Sequence, residues 1–217
     1  MENPNSPCCE IGEKLRKGKG RLLCETENFF VFPTLGPIGI EGYLLIATKQ
    51  HYLGFGMIPS EQYPELNELI KDTKKIIKEV YKKPTLIFEH GPRIGEDTKP
   101  GKSIDHAHLH VIPADFDILK EWSIDLMSRL GNLGQFYRVE RIEGFKRASD
   151  LIEQEKSYLY VESTNGSQYM SEQNFCRPSQ YFRKMVANHI SPSKWNWRYH
   201  PCKRTIDKTM DSLASRF

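Results

Sequence analysis

Apolar and polar residues follow one another along this chain in patterns that predict a sheet with one long helix packed against it. Short apolar runs bounded by turn-forming residues indicate strands over residues 21–25, 28–32, 41–48 and 85–88. Residues 59–82 instead place apolar side chains three, four and seven positions apart. That spacing is typical of a helix that buries one face, and the lysines near its end suit the helix dipole.

The most informative stretch is residues 106–112, in which histidines alternate with apolar residues. His106, His108 and His110 occupy every second position. Because successive side chains of a strand point to opposite faces, this pattern predicts a strand that presents three imidazoles on one face and packs its other face on the core. Pro113, which lacks a backbone donor, suits the end of that strand.

A row of three imidazoles can supply a nucleophile, a proton shuttle or metal ligands near neutral pH. The outer two residues of such a row are about 13 Å apart along the backbone. That span is awkward for three ligands of one zinc ion, whose bonds are about 2.0–2.1 Å long. The row better suits a nucleophile at His108 with a helper on each side. Two alternatives stay open: a zinc enzyme that uses His106, His108 and a distant ligand, and a strand that is simply rich in histidine.

The histidine row resembles the signature of the histidine-triad (HIT) superfamily of nucleotide hydrolases and transferases. That signature is His-φ-His-φ-His-φ-φ, where φ is apolar, and residues 106–112 match it at every position. Residues 41–51, 89–92 and 101–103 are similar to segments that precede the triad in this superfamily. The resemblance covers roughly residues 8 to 140.

The resemblance implies an α+β fold in which residues 1–144 form a HIT-like nucleotide-binding catalytic domain. Its core would be a mainly antiparallel, five-stranded sheet with a packed helix. Residues 145–217 lie beyond that domain, and their pattern predicts a C-terminal α/β extension, a hairpin plus helices packed on the core. Trp195 and Trp197 would anchor this extension, or, in the alternative interpretation, would close over the nucleotide as a lid together with the polar residues after them.

The resemblance also implies a mechanism. His108 would attack the α-phosphorus of a nucleotide conjugate and form a covalent nucleotidyl-histidine, which water would hydrolyse to a nucleoside monophosphate. His110 would contact the phosphate oxygens, and His106 would order the site together with His51. The substrate would be a purine nucleotide conjugate, either a nucleoside phosphoramidate or a dinucleoside polyphosphate. No cofactor is required by this scheme, although a divalent metal could accompany a polyphosphate.

A glycine-containing loop before the triad predicts a phosphate cradle, because glycines let backbone amides approach an anion and lysine or arginine supplies charge. Thr34 stands where relatives place a residue that binds the ribose. The residues predicted to bind the nucleotide or its phosphates are His51, Thr34, Glu89, His90, Gly91, Arg93, Lys102 and Ser103. Glu89, Lys102 and Thr34 differ from the residues usual in the superfamily. Two alternatives therefore stay open, a nucleotidyltransferase or phosphorylase and a nucleotide-binding adaptor with little turnover.

The amino-acid composition indicates which partners and which cell compartment to expect for this protein. With 31 basic and 28 acidic residues, the net charge of +3 does not indicate a dedicated nucleic-acid binder, although a local basic site stays open. No apolar run approaches the roughly 20 residues that span a bilayer, and the first residues lack the apolar segment of a signal peptide. Five cysteines fit reduced thiols, so a cytoplasmic protein is expected. Relatives pair through the long helix and an edge strand, so a homodimer is a further expectation.

Overall fold

The computed structural model describes residues 20–92, 106–130, 139–173 and 179–217. The strands are β1 (Cys24–Glu25), β2 (Phe29–Pro33), β3 (Leu44–Thr48), β4 (Thr85–His90), β5 (His108–Pro113), β6 (Glu140–Ile142), β7 (Ser157–Glu162) and β8 (Gln168–Gln173). The helices are α1 (Tyr63–Tyr81), α2 (Leu119–Leu130), α3 (Lys146–Glu153), α4 (Tyr181–Ile190) and α5 (Lys203–Leu213), with short 3-10 turns at Phe55–Met57, Ser60–Gln62 and Pro192–Lys194.

The eight strands form one sheet in the order β1-β2-β3-β5-β4-β7-β8-β6, and every neighbouring pair is antiparallel. The α+β class and the HIT-like antiparallel sheet are thus confirmed, and β1 to β5 are the five expected strands. The C-terminal hairpin does more than pack on this sheet. Strand β7 pairs with β4, with Phe88 opposite Val161, so the sheet continues through the C-terminal residues.

Helix α1 lies where the apolar spacing predicts it. Leu66, Ile70 and Ile77 are among its buried residues and belong to the core on one face of the sheet. The α-helix begins at Tyr63 rather than at residue 59, because Ser60–Gln62 forms a short 3-10 turn instead of a cap. Lys82 ends the helix in the left-handed conformation, and its N–H donates to the carbonyl of Lys78.

Helices cover both faces of the sheet. The first core cluster, which contains Ile87 of β4, also takes in residues of α1 and α3. The second contains Phe88 of β4 together with Trp122 of α2 and Phe182 of α4. Consecutive residues of β4 therefore point into different cores, as strand geometry requires. Among the described residues, no helix is both long and apolar enough to cross a membrane.

Candidate active site

Strand β5 begins at His108 rather than at residue 106 as predicted, so it carries His108 and His110 beside β3 and β4, and His106 lies two residues before it. His108 lies opposite Ala47 of β3, and His110 lies opposite Leu45 of β3 and Phe88 of β4. The outer imidazoles of His106 and His110 are buried, at 3% and 4% exposed, whereas the side chain of His108 is partly exposed. The middle histidine is therefore the triad member that a ligand can reach most readily.

A backbone carbonyl holds the imidazole of His108. Its Nδ1 atom lies 2.6 Å from the carbonyl oxygen of His106. Because a carbonyl oxygen can only accept, we infer that Nδ1 carries the proton and that Nε2 holds the lone pair. This contact orients the ring in the tautomer that a nucleophile needs, and it would stabilise the positive charge that develops on the ring during attack.

His106 is fixed from the end of β3. Its Nε2 lies 2.6 Å from the carbonyl oxygen and 3.0 Å from Oγ1 of Thr48, so this nitrogen donates. Burial lowers the pKa of His106 to about 4, against the opposing hydrogen bond to Thr48 and with further lowering from His108 and His51. The ring of His51 lies 5.5 Å from that of His106, centroid to centroid, beside the first triad histidine as predicted.

His110 is enclosed by aromatic rings. It stacks on Phe88 at 4.4 Å and meets the ring of His108 edge-on at 4.9 Å, and its Nδ1 lies 2.8 Å from the hydroxyl of Tyr43. Burial, and then the charges of His108, His90 and Arg183, hold the pKa of His110 well below its usual value. The imidazole is therefore neutral at neutral pH.

Of the predicted ligand-binding residues, His90 lies beside the triad. Its ring is 6.0 Å from that of His110 and stacks on Phe182 of α4 at 5.2 Å. The backbone N–H of Phe182 donates to Nε2 of His90 over 3.0 Å. The first turn of α4 thus fixes a fourth imidazole next to the three of the triad.

Glu89 lies on the face of β4 opposite the triad, and Gly91 follows the end of that strand. The Glu89 carboxylate is 1% exposed and accepts hydrogen bonds from the Phe55 N–H at 2.8 Å and the Tyr158 hydroxyl at 2.7 Å. A Cβ on Gly91 would lie 2.8 Å from the backbone oxygen of Tyr158, so close packing requires glycine there. Glu89 thus faces away from the triad, because neighbouring positions on a strand face opposite ways. The contacts of Glu89 and Gly91 with a nucleotide stay predictions.

An apolar surface lies on the triad side of β2 and β3. Phe30, Phe32, Leu45 and Ala47 form one buried cluster, and the pairing of β3 with β5 puts it next to His108 and His110. Such a surface suits a nucleoside base, which presents a flat apolar face. The alternation of residues in the predicted strands is the signal for it.

Thr34 follows this surface at the end of β2. It is buried, its N–H donates to the carbonyl of Tyr43 over 3.1 Å, and its hydroxyl lies 3.3 Å from the carbonyl of Leu35. Thr34 is therefore hydrogen-bonded to Tyr43, whose hydroxyl contacts His110. The predicted phosphate ligands Arg93, Lys102 and Ser103 lie outside the described residues and stay predictions.

Two residues that the sequence analysis did not single out, Tyr43 and Arg183, adjoin the triad. Arg183 of α4 is 3% exposed, and one of its nitrogens lies 3.2 Å from the Tyr43 hydroxyl. The one available signal was an arginine among Tyr181, Phe182, Met185 and Val186, whose spacing predicts one apolar side of a helix. Among the described residues, no group of three or more His, Cys, Asp or Glu side chains is placed to hold a metal ion.

The aromatic segment after α4 packs against the loop between β2 and β3. Trp195 contacts the core that contains Phe182. Gly36 has a φ of 65°, and a Cβ there would lie 2.6 Å from the Cα of Trp197, so only glycine fits both the backbone and the contact. This packing supports the interpretation that the tryptophans anchor the C-terminal segment.

Comparison with known families places these features in context. The profile described as "Scavenger mRNA decapping enzyme C-term binding" matches residues 9–124, which is more than half of the 217 residues. The chain therefore belongs to this family and to the histidine-triad superfamily. A comparison with curated proteins finds no match.

Several solved structures are similar to part of the chain. A hypothetical histidine triad nucleotide-binding protein from Sulfolobus tokodaii is 24% identical, with a TM-score of 0.38, over 49% of this chain and 67% of that one. A HIT family protein from Bacillus anthracis is 16% identical, with a TM-score of 0.40, over 60% and 98%. A histidine triad protein from Clostridium difficile is 19% identical, with a TM-score of 0.39, over 54% and 96%. Such distant likenesses say nothing of this chain's activity.

Proposed function

We propose that this protein is a nucleotide hydrolase that cleaves at the α-phosphate of a nucleoside phosphoramidate or a dinucleoside polyphosphate through a nucleotidyl-histidine. The observation that carries the proposal is the hydrogen bond between Nδ1 of His108 and the carbonyl of His106. It leaves the lone pair on Nε2 of the one partly exposed triad imidazole. A row of histidines that served only the core would not need that tautomer.

The proposed reaction has two steps. In the first, Nε2 of His108 bonds to the α-phosphorus while the bond from phosphorus to the leaving group breaks. In the second, water attacks the same phosphorus, the P–N bond breaks, and a nucleoside monophosphate departs. His110 would donate to a phosphate oxygen, and Arg93, Lys102 and Ser103 are proposed to stabilise the negative charge from the loop before β5.

Two observations support the proposed substrate class, the family and the apolar surface beside the triad. The family profile is named after a scavenger mRNA decapping enzyme, and an mRNA cap is itself two nucleosides joined by a 5′–5′ triphosphate. A cap dinucleotide is therefore one member of the dinucleoside polyphosphates proposed here. Phe30, Phe32, Leu45 and Ala47 would support the base.

The test is intact-mass spectrometry combined with product analysis. The wild-type protein, His108→Ala and His189→Ala would each be mixed with adenosine phosphoramidate, a diadenosine polyphosphate and a methylated cap dinucleotide. His189 is the matched control, because its imidazole pairs with Glu121 and stacks on Phe116 rather than on a triad ring.

We expect monophosphate and a transient added nucleotidyl mass from the wild type and His189→Ala. His108→Ala should be slower by at least about a thousandfold. Equal turnover by His108→Ala and wild type would show that His108 is not the nucleophile. Binding without turnover in all three proteins would instead support the adaptor.

A further inference from the structure

Three contacts made by Phe182 and Arg183 of α4 reach the residues that surround His110. Phe182 packs its ring on His90 and on Phe88, which itself stacks on His110. Arg183, the next residue of α4, donates to the Tyr43 hydroxyl at 3.2 Å. That hydroxyl lies 2.8 Å from Nδ1 of His110. A hydrogen-bonded chain therefore runs from α4 to the third triad imidazole.

The protons that each group carries decide which group donates in each of these hydrogen bonds. Arginine can only donate, so the phenol oxygen of Tyr43 accepts from Arg183. Among the described residues, the one acceptor that the Tyr43 hydroxyl proton reaches is Nδ1 of His110. Burial raises the pKa of Tyr43 to about 12, against the opposing effect of Arg183, so the phenol keeps this proton at neutral pH. The proton of the neutral His110 ring then sits on Nε2.

That tautomer matters because of where His110 stands. Its ring meets the ring of His108 edge-on at 4.9 Å. With Nδ1 accepting from Tyr43, the ring presents an N–H donor at Nε2, the group that a phosphate oxygen needs. In the opposite tautomer Nε2 would carry a lone pair and would repel the same oxygen.

The positive charge of Arg183 also favours a phosphate in front of His110. Its hydrogen-bond partners in the described part of the chain are all neutral: the Tyr43 hydroxyl, the Gly36 and Trp195 carbonyls and the Gln180 amide oxygen. A buried guanidinium held by neutral acceptors keeps its positive potential, which favours an anion nearby. It therefore favours the negative charge that develops on a phosphate in front of His110 during the reaction, rather than cancelling a local carboxylate.

We propose that Arg183 is a positioning residue for the triad, which acts through Tyr43 to hold His110 with its proton on Nε2. The catalytic site is then complete only when α4 of the C-terminal segment is docked. This inference rests on the proposed function, because it assigns His110 the task of donating to a phosphate. The tautomer itself does not depend on any activity.

The first measurement is therefore the tautomer, read from long-range ¹⁵N–¹H correlation spectra of protein labelled in its histidine rings. Such spectra distinguish a protonated ring nitrogen from an unprotonated one. The proteins are the wild type, Arg183→Met, Tyr43→Phe and Lys184→Met. Lys184 is the matched control, since it is the next cation on α4 and sits over the Trp195 ring at 4.3 Å instead of reaching Tyr43.

We expect His110 to be protonated at Nε2 in the wild type and in Lys184→Met. In Arg183→Met and Tyr43→Phe a second form, protonated at Nδ1, should appear. A wild-type His110 protonated at Nδ1 would overturn the proposal, as would an unchanged tautomer in both variants. If Arg183→Met does not fold, Tyr43→Phe still decides the question, because it removes one oxygen and keeps the ring.

The second measurement is kinetic and separates the two proposals. Arg183→Met should lower kcat by about ten- to a hundredfold with little change in KM, and Arg183→Lys should recover part of the loss. A loss that appears only in KM would contradict the positioning role. A further outcome is a wild type that shows the expected tautomer of His110 but turns over none of the substrates. That result would contradict the proposed function and would leave the tautomer assignment unchanged.

Discussion

The triad region, from β1 to α2, and the C-terminal segment, from β6 to the end, contribute to the same site in different ways. The triad region carries its chemistry within five residues, with His106 just before β5 and His108 and His110 on it. The C-terminal segment shows no comparable motif, yet Phe182 packs on Phe88 of the neighbouring strand β4, and Arg183 donates to Tyr43, whose hydroxyl contacts His110. A motif thus marks the reacting groups, while the groups that hold them come from distant sequence.

Strand β4 is where the two regions meet. It pairs with β5 on one side and with β7 on the other, and it sends Phe88 and His90 toward the triad and Glu89 toward Tyr158. Because both of its edges are paired within the chain, β4 is not an edge strand through which a second copy could extend the sheet. The homodimer stays a prediction.

The largest expected effect is that of Phe182→Ala, which removes the ring that joins α4 to the triad side of the sheet. Phe182 is fully buried and contacts Phe88, His90 and Trp122. Truncating such a side chain costs about 3–5 kcal/mol of unfolding free energy, which urea denaturation would measure.

Phe29→Ala is the matched control for that change, because Phe29 is equally buried but belongs to the core on the other face of the sheet. Both variants should lose similar stability, whereas only Phe182→Ala should shift the NMR signals of the His90 and His110 rings. A loss below about 1 kcal/mol for Phe182→Ala would mean that α4 is dispensable to this core.

The contrast between the two regions explains what could be predicted from sequence. The strand of residues 106–112 and the helix of residues 59–82 are visible because their periodicity is local. The side on which Glu89 lies depends on register, and the contact between Tyr43 and Arg183 joins residues 140 positions apart. No local pattern encodes such a pair. The predicted hairpin of the C-terminal segment was correct as an element, but its pairing with β4 depends on tertiary structure.

Tyr158→Phe tests whether β7 stabilises β4 without taking part in turnover. The hydroxyl donates to the buried Glu89 carboxylate at 2.7 Å and accepts from the Gly56 N–H at 3.0 Å. Removing it leaves both groups without this partner, which costs about 1–3 kcal/mol. Thermal or urea unfolding would measure the loss, and turnover should change little because Glu89 faces away from the triad.

Tyr160→Phe is the control for that prediction, since Tyr160 is also buried on β7 and its hydroxyl lies 3.4 Å from a Glu162 oxygen. A longer hydrogen bond contributes less, so this variant should be the more stable of the two. If Tyr158→Phe instead abolished turnover while remaining folded, Glu89 would have a catalytic role that its position does not suggest.

Asp117 offers a test that depends on pH. It links α2 to the β7–β8 turn by accepting hydrogen bonds from the Leu119 N–H at 2.8 Å, the Thr164 N–H at 3.0 Å and the Ser163 hydroxyl. Burial alone would raise the pKa of Asp117, but these hydrogen bonds outweigh it and lower the pKa. A lowered pKa in the folded state means that the ionised carboxylate stabilises the fold above the unfolded pKa, near 3.8, and that this contribution is lost as the pH falls further.

Asp117→Asn should therefore be less stable than the wild type by about 1 kcal/mol at pH 7. The difference should narrow as urea unfolding is repeated down to pH 3. Glu143→Gln, at an exposed position after β6, is the control and should follow the wild type at each pH. A difference that stayed constant with pH would mean that the charge of Asp117 does not contribute.

The smallest effects are expected on α5, where neighbouring residues reach the same loop of the triad region by different means. Thr209 is buried, and its hydroxyl accepts from the Gly42 N–H at 2.9 Å. Lys208 is exposed, and its ammonium lies 2.7 Å from Glu41. Thr209→Val should lower the unfolding free energy by about 1 kcal/mol, because it leaves a buried N–H without its acceptor. Lys208→Ala should lower it by at most about 0.5 kcal/mol, because an exposed ion pair is screened by water and salt. Urea unfolding in low and high salt separates the two, since only the lysine variant should lose its small effect in high salt. The reverse order of losses would mean that surface charge, rather than buried hydrogen bonding, holds the C-terminal helix against the triad region.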